Sequence, residues 1–125
     1  MKDITREWID KAEGDYAVAS REIKEEKSVY DAVCFHAQQT AEKYLKALLQ
    51  ENDIDFFKTH DLDILLNKCK EIYSALSEYE IEMIELSSFA VEVRYPGVEA
   101  EAEDAVCCFA AASRIRDAIR KFLCL

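Results

Sequence analysis

The chain has 125 residues, half of them hydrophobic, which suits one domain with a single core. Its 26 acidic and 16 basic residues give a net charge of −10, which opposes general binding to nucleic acid because that affinity comes from Lys and Arg on phosphates. Only two Gly and one Pro occur, so hairpin-rich folds are disfavoured and a few long helices are expected. No apolar run approaches the ~20 residues of a membrane span, and the N-terminus lacks an apolar signal region, so we expect a cytoplasmic protein.

Five cysteines are present, an odd number without a CxxC pair. Cys34, Cys69 and Cys108 fall on or beside predicted apolar helix faces, where a free thiol behaves as a small hydrophobe. We therefore expect reduced, mainly structural thiols in a reducing compartment. Neither histidine has a metal-ligand partner nearby in sequence, so no metal site and no cofactor are predicted.

The first helix is predicted from about Ile4 to Glu26, with one apolar stripe at helical spacing. That stripe consists of Ile4, Trp8, Ala12, Tyr16, Ala19 and Ile23. Ser28 and Asp31 then resemble a capping box, which predicts that a second helix spans about Val29 to Gln50. The apolar arc of this second helix is wide, so it should lie at the centre of the bundle and touch several neighbours.

The third helix has Thr59 or Asp61 as its cap, followed by one apolar face. The residues of that face are Leu62, Leu65, Leu66, Cys69, Ile72, Tyr73 and Leu76. A fourth helix is predicted from about Glu78 to Glu92, and Pro96 should stop it near Arg94 because proline lacks a backbone donor.

The last helix is predicted from about Ala100 to Phe122, and seven alanines make it slim enough for close approach to another helix. Its stripe is Ala102, Ala105, Phe109, Ala112, Arg116, Ile119 and Leu123. The predicted fold class is all-α: a single domain over residues 1–125, built as an antiparallel helical bundle of four principal helices plus one shorter helix.

The second helix carries more polar groups than a surface helix needs. At 100° per residue, five of them share one face: His36, Gln39, Lys43, Lys46 and Gln50. Gln38 and Glu42 lie nearer the apolar border. A solvated face with an i,i+4 pair is the plain interpretation, whereas buried border groups would need partners inside the subunit or across a dimer seam. Lys43 and Lys46 could also form a local basic pocket with Arg94.

Two shorter polar motifs stand at helix ends. Thr59 or Asp61 can satisfy free amides and leave His60 incidental, or the same helix end can receive an anion with help from the His60 imidazole. Arg94 can bond the last carbonyls of its helix. Alternatively, its guanidinium grips phosphate while Tyr95 offers a ring for stacking a base. The sequence leaves both pairs of alternatives open.

In this order, the motifs resemble the HEPN domain family. They are His36-x-Gln38-Gln39-x-Ala41-Glu42-Lys43-x-Leu45-Lys46-Ala47-Leu48-Leu49, Thr59-His60-Asp61-Leu62 and Arg94-Tyr95-Pro96. The resemblance implies a small all-helical bundle, usually dimeric, often partnered by a separately encoded minimal nucleotidyltransferase. Some of these two-gene prokaryotic modules are toxin–antitoxin systems. The family name records a proposed nucleotide-binding role.

Many proteins of that family are metal-independent RNases that use an Arg followed four to six residues later by a His. Here no Arg lies four to six residues before His36 or His60, and no His follows Arg94. The RNase mechanism is therefore not carried over. The chain resembles a non-RNase branch that has Arg-Tyr-Pro instead, and no catalytic residue is assigned.

The sequence thus favours a binding subunit that engages a nucleotide, an RNA end or a nucleotidyltransferase partner. Its candidate ligand-binding residues are Gln38, Glu42, Lys43, His60, Arg94 and Tyr95. Lysine and arginine would neutralise phosphate, His60 would orient it, and the Gln/Glu pair would fix a base or hold the motifs in place. Two alternatives are an RNase toxin that combines a relocated His36 or His60 with Arg94, and a structural partner that dimerises through its Ala-rich last helix.

Overall fold

A computed structural model describes all 125 residues, which form five α-helices, one 3₁₀-helix and no strand. The α-helices are α1 (Asp3–Glu22), α2 (Tyr30–Glu51), α3 (Leu62–Lys70), α4 (Glu80–Glu92) and α5 (Ala102–Phe122), with the 3₁₀-helix Ser74–Tyr79 between α3 and α4. The predicted all-α antiparallel bundle is confirmed, and α3 is its short helix. None of the helices combines the length and the apolar character that crossing a bilayer requires.

Helix α2 is the centre of the bundle, as its wide apolar arc predicts. It contacts all four other α-helices, and 13 of its 22 residues are buried, too many for one side of a surface helix. Tyr44, Leu45 and Leu48 are fully enclosed in the core. A helix surrounded in this way fixes the positions of any polar side chain it carries.

The predicted face of α1 is wrong at its N-terminal end. Ile4 is exposed, while Thr5 and Ile9 are buried beside Ala12. Steps of four residues advance about 40° beyond a full turn, so Ile4 lies about 80° around the helix from Ala12. A stripe drawn by such steps rotates away from the core. The helix also ends at Glu22, earlier than the predicted Glu26.

The predicted capping box at Ser28 and Asp31 is also wrong. The residue at the N-cap of α2 is Val29, whose side chain makes no capping hydrogen bond, and the N–H of Val29 donates to the carboxylate of Glu22 at 2.8 Å. Asp31 instead accepts a hydrogen bond of 2.7 Å from the backbone N–H of Ala100, so it ties the start of α2 to the start of α5. Because this partner is distant in the chain, a local motif search could not identify it.

The start of α3 is held by both local and distant groups. The Thr59 hydroxyl accepts a hydrogen bond of 3.1 Å from the N–H of Asp61, which is the residue at the N-cap. The N–H of Leu62 donates to the hydroxyl of Ser87 on α4 at 3.3 Å. The helix then ends at Lys70, so the predicted apolar face does not lie on one helix. Its last residue, Leu76, is buried but belongs to the 3₁₀-helix that follows.

Candidate functional site

A buried carboxylate, Glu42, organises the polar side of α2. Only 3% of the residue is exposed, and three donors surround its oxygens. The ammonium of Lys46 donates at 3.0 Å, the Nδ1 of His60 lies at 3.0 Å, and the amide of Gln38 donates at 3.3 Å. An ionised carboxylate tolerates such burial only when it is paired and hydrogen-bonded, and Glu42 is both.

Lys46 is buried as deeply as its partner, with 5% of the residue exposed. Its ammonium lies 5.4 Å from the ring centre of Trp8 on α1 and 5.9 Å from that of Phe56. Aromatic faces attract a cation and shield it from water. The expectation of a solvated Lys46 is therefore wrong, because the segment after α2 folds back over this side of the helix and brings Phe56 with it.

Gln38 connects the same cluster to the segment before α3. It is 2% exposed, and its amide nitrogen donates to the carbonyl of His60 at 2.9 Å. Its amide oxygen accepts from the side chain of Gln39 at 2.8 Å. The border pair Gln38 and Glu42 thus finds its partners inside one subunit, and it fixes the backbone and the ring of His60.

His60 itself projects outward. Its side chain is 67% exposed, although one ring nitrogen is held by the buried Glu42. A carboxylate can only accept, so Nδ1 is the donor in this bond. The ring orientation is therefore set, and Nε2 faces solvent, as an acceptor on a neutral ring and as a donor on a charged one.

Lys43 lies on a different side of α2. Its ammonium binds the Oδ2 of Asp15 on α1, and the Nδ1 of His36 lies 2.8 Å from the Oδ1 of the same carboxylate. Both groups are partly buried between the two helices. Lys43 is therefore directed at α1 and does not join His60.

Arg94 and Tyr95 are exposed after the end of α4. The Arg94 guanidinium lies 5.2 Å from the ring centre of Phe35 on α2, which is its contact across the fold. The ammonium groups of Lys43 and Lys46 pair with Asp15 and Glu42, and the guanidinium of Arg94 lies over Phe35. These three positively charged side chains therefore do not form one basic pocket. Gly97 follows with φ +93°, a left-handed conformation that favours glycine and turns the chain toward α5.

The model of the HEPN domain family matches residues 5–122. The chain belongs to the HEPN domain family. The crystal structure of ST0689, an archaeal HEPN homologue, is similar to it with a TM-score of 0.75 and 27% sequence identity, over 97% of this chain and 98% of that one. No curated protein matches the sequence. Membership and fold agree on a role related to nucleotides, RNA or partner binding at the level of the family.

The polar groups of this HEPN domain are distributed over separate pairs. His36 is bonded to Asp15, His60 to Glu42, and Arg94 contacts Phe35 without pairing with either histidine. No group of three His, Cys, Asp or Glu side chains converges as a metal site would require. The structure brings together Gln38, Glu42 and His60 from the predicted set, and it leaves Lys43 and the Arg94–Tyr95 pair elsewhere.

A further polar network in the HEPN domain joins α5 to α1 and α2. Arg116 grips Glu13 through two hydrogen bonds of 2.8 and 2.7 Å, and Arg120 donates to the Tyr44 hydroxyl at 3.1 Å. The hydrogen bond from Arg116 lowers the pKa of Glu13, whereas burial raises the pKa of Tyr44. The sequence feature that could have revealed this network is Arg116 itself, since a charged residue on an apolar stripe needs a partner.

Proposed function

We propose that this HEPN domain is a binding subunit that holds a nucleotide or an RNA end and works beside a minimal nucleotidyltransferase, within a toxin–antitoxin-like module. One observation supports the binding role most directly: a buried carboxylate holds the exposed His60 ring and leaves Nε2 free. On a charged ring Nε2 is a donor, and a donor kept in one orientation binds an anionic oxygen at a lower entropic cost than a mobile one.

In this proposal a bound nucleotide chain would follow α2 from His60 to Arg94 and Tyr95, which lie apart from the Glu42 cluster. Phe35, under Arg94, precedes Glu42 by seven residues, which corresponds to about 10 Å along the helix axis. Stacked nucleotides rise by roughly 3.4 Å each, so this length fits about three of them. Arg94 would neutralise one phosphate, Tyr95 would stack a base, and His60 would bind the far end.

Five of the six candidate residues then divide into two roles. His60, Arg94 and Tyr95 are exposed and would contact the ligand. Gln38 and Glu42 are buried and would position His60 rather than touch RNA. Lys43 is already paired with a carboxylate, and this leaves it no evident part in contact with the ligand.

Fluorescence anisotropy with a labelled RNA trinucleotide tests the binding role. The Arg94→Ala and His60→Gln variants should each weaken binding about tenfold, which corresponds to 1.4 kcal/mol. Arg21→Ala is the matched control, because it removes one exposed positive charge from the end of α1. Equal affinities for Arg94→Ala and Arg21→Ala would refute the assignment.

A nucleotidyltransferase gene beside this one would support the proposed partner. Failure of the two purified proteins to associate would count against that partner.

The same RNA samples test the RNase alternative. His60 has the geometry of a carboxylate-oriented acid or base, since Glu42 holds one ring nitrogen and the other is free. On the binding hypothesis the RNA stays intact after prolonged incubation. Cleavage that disappears in the His60→Gln variant would replace that hypothesis with catalysis.

The outer side of α4 supports the proposal that the subunit dimerises. Ile81, Ile84 and Val91 are exposed there at helical spacing, with 71% of Ile81 accessible to solvent. Apolar side chains grouped on one exposed side of a helix are typical of a surface that another protein covers. Light scattering should therefore give the mass of a dimer for the wild type and of a monomer for Ile84→Glu, while Val18→Glu on α1 serves as the control. A monomeric wild type would rule out this seam.

A further inference from the structure

A groove of about 500 Å³ runs between α4 and α5. Its floor is apolar, with Leu86 and Phe89 from α4 and Cys108 and Ala111 from α5. The groove remains open because α5 presents only small side chains at this level, and these do not fill the space between two helices. It shares no residue with the His60 site.

The dimensions of the groove suit a short helix. Its lining on α5 extends from Asp104 to Arg114, about 15 Å at the helical rise of 1.5 Å per residue. On α4 it extends from Glu82 to Phe89, about 10 Å. An amphipathic helix anchors itself through side chains at i, i+3 or i+4, and i+7, which also span about 10 Å. Two turns of such a helix therefore match the groove.

The rim of the groove selects the charge of its occupant. The rim carries three acidic side chains, those of Glu82, Glu85 and Asp104, and one basic side chain, that of Arg114. That arginine is already engaged, because it pairs with Glu82 at 3.0 Å and lies 5.7 Å from the ring centre of Tyr79. The remaining acidic groups attract Lys and Arg on a partner and repel the phosphates of nucleic acid.

A second copy of this chain fits the groove poorly. Two-fold pairing through the groove would place the same acidic rim on both sides of the interface. Like charges facing each other oppose association. The apolar floor and the acidic rim together specify a foreign segment with an apolar face and basic flanks.

We propose that the groove between α4 and α5 is a docking site for a basic amphipathic helix of a partner protein. This inference rests on the partner-binding half of the proposed function and is independent of RNA binding. The apolar face of the incoming helix would cover Leu86 and Phe89, and its basic side chains would reach Glu85 and Asp104 on the two walls.

Two exposed cysteines give a test within one molecule. Cys107 lines the groove and Cys124 lies outside it, while the other three thiols are buried. The probe is a 14-residue peptide with Leu at i, i+3, i+4 and i+7 and Lys at most other positions. At a peptide concentration ten times its Kd, about one-eleventh of the groove is free, so alkylation of Cys107 should slow about tenfold. Alkylation of Cys124 should stay unchanged.

Three results would overturn the inference. Equal slowing at Cys107 and Cys124, or equal slowing by a peptide of scrambled order, would indicate general charge attraction. Slowing of Cys107 at high protein concentration without peptide would identify a second copy as the occupant. An unchanged rate of Cys107 alkylation in the presence of the Leu/Lys peptide would show that the groove does not bind a basic amphipathic helix.

A pair of charge-reversal variants completes the test. Glu85→Lys should weaken the peptide about tenfold because it reverses one rim charge. Glu71→Lys makes the same change on an exposed residue after α3, outside the groove, and should have little effect. Equal effects of both variants would contradict the docking site. Because Glu85→Lys should leave RNA affinity unchanged and Arg94→Ala should leave peptide affinity unchanged, the two proposals can fail separately.

Discussion

Replacing Lys46 by methionine tests whether the buried ion pair on α2 is a structural support. Methionine keeps the length and apolar stem of the side chain and removes the ammonium. Glu42 would then remain buried with its charge, held only by Gln38 and by the exposed His60. The matched control is Lys43, three residues earlier, because its partner Asp15 also binds His36.

The expected loss is large because both members of the pair are nearly inaccessible. Removing one partner of a buried pair destabilises a protein by about 3–5 kcal/mol, and the two remaining donors place this case near 3 kcal/mol. An unfolding entropy of about 2.1 cal/mol/K per residue gives roughly 0.26 kcal/mol/K for the chain, so Tm should fall by about 11 °C. Lys43→Met should cost about 1 kcal/mol or less, since its pair is partly exposed.

Thermal and urea unfolding followed by circular dichroism measure both variants. Glu42→Leu alone should cost about as much as Lys46→Met, because it strands the buried ammonium. The double variant should cost only about 1 kcal/mol, since it leaves no unpaired charge in the interior. The reasoning is refuted if Lys46→Met costs no more than Lys43→Met, or if the two single costs simply add in the double variant.

Three further predictions concern contacts elsewhere in the fold. Glu13→Gln should lower stability at pH 7 by about 1–2 kcal/mol, because it breaks the pair with Arg116. The lowered pKa of Glu13 means that this stabilisation is present above the unfolded value near 4.5 and is lost as pH falls through the folded value, so wild type and variant should converge in acid unfolding. Ser87→Ala should cost about 1 kcal/mol by freeing the N–H of Leu62, with Ser88→Ala as the exposed control. Gly97→Ala should cost about 1 kcal/mol or more in urea unfolding, because alanine disfavours φ +93°.

Each of these has a contrary result. A stability gap between wild type and Glu13→Gln that stays constant down to pH 3 would show that the carboxylate charge is not responsible. Equal costs for Ser87→Ala and Ser88→Ala would mean that the cap of α3 does not come from α4. An unchanged urea midpoint for Gly97→Ala would show that the turn relaxes around the added methyl group.

The helical architecture could be predicted because its signals are local. Periodic apolar residues, scarce Gly and Pro, and the proline after Arg94 act within one or two turns of the chain. The bounds of α2, α4 and α5 therefore agree with the prediction to within two residues. The errors at Ser28 and Asp31 arose where a local motif competed with a distant partner, Ala100, which the sequence does not reveal.

The candidate site could be predicted only in part. Gln38 and Glu42 were identified as polar groups that need partners if buried and His60 as a candidate ligand-binding residue, and the structure joins the three through hydrogen bonds. The burial of Lys46 was not predicted, because its exposure depends on where Trp8 and Phe56 pack. A helical projection gives the direction of a side chain but not what covers it.

By itself, the sequence determined an all-helical HEPN domain and the absence of an Arg followed four to six residues later by a His. The helices follow from residue spacing and the missing Arg-to-His pair from the residues themselves, whereas the family was indicated by the resemblance of three motifs in order. Only the tertiary structure decided which polar groups are buried supports and which are exposed for contact. The reason is energetic: a charge such as that of Glu42 is tolerated in the interior only when groups from other parts of the chain surround it, and His60 is oriented by that same arrangement.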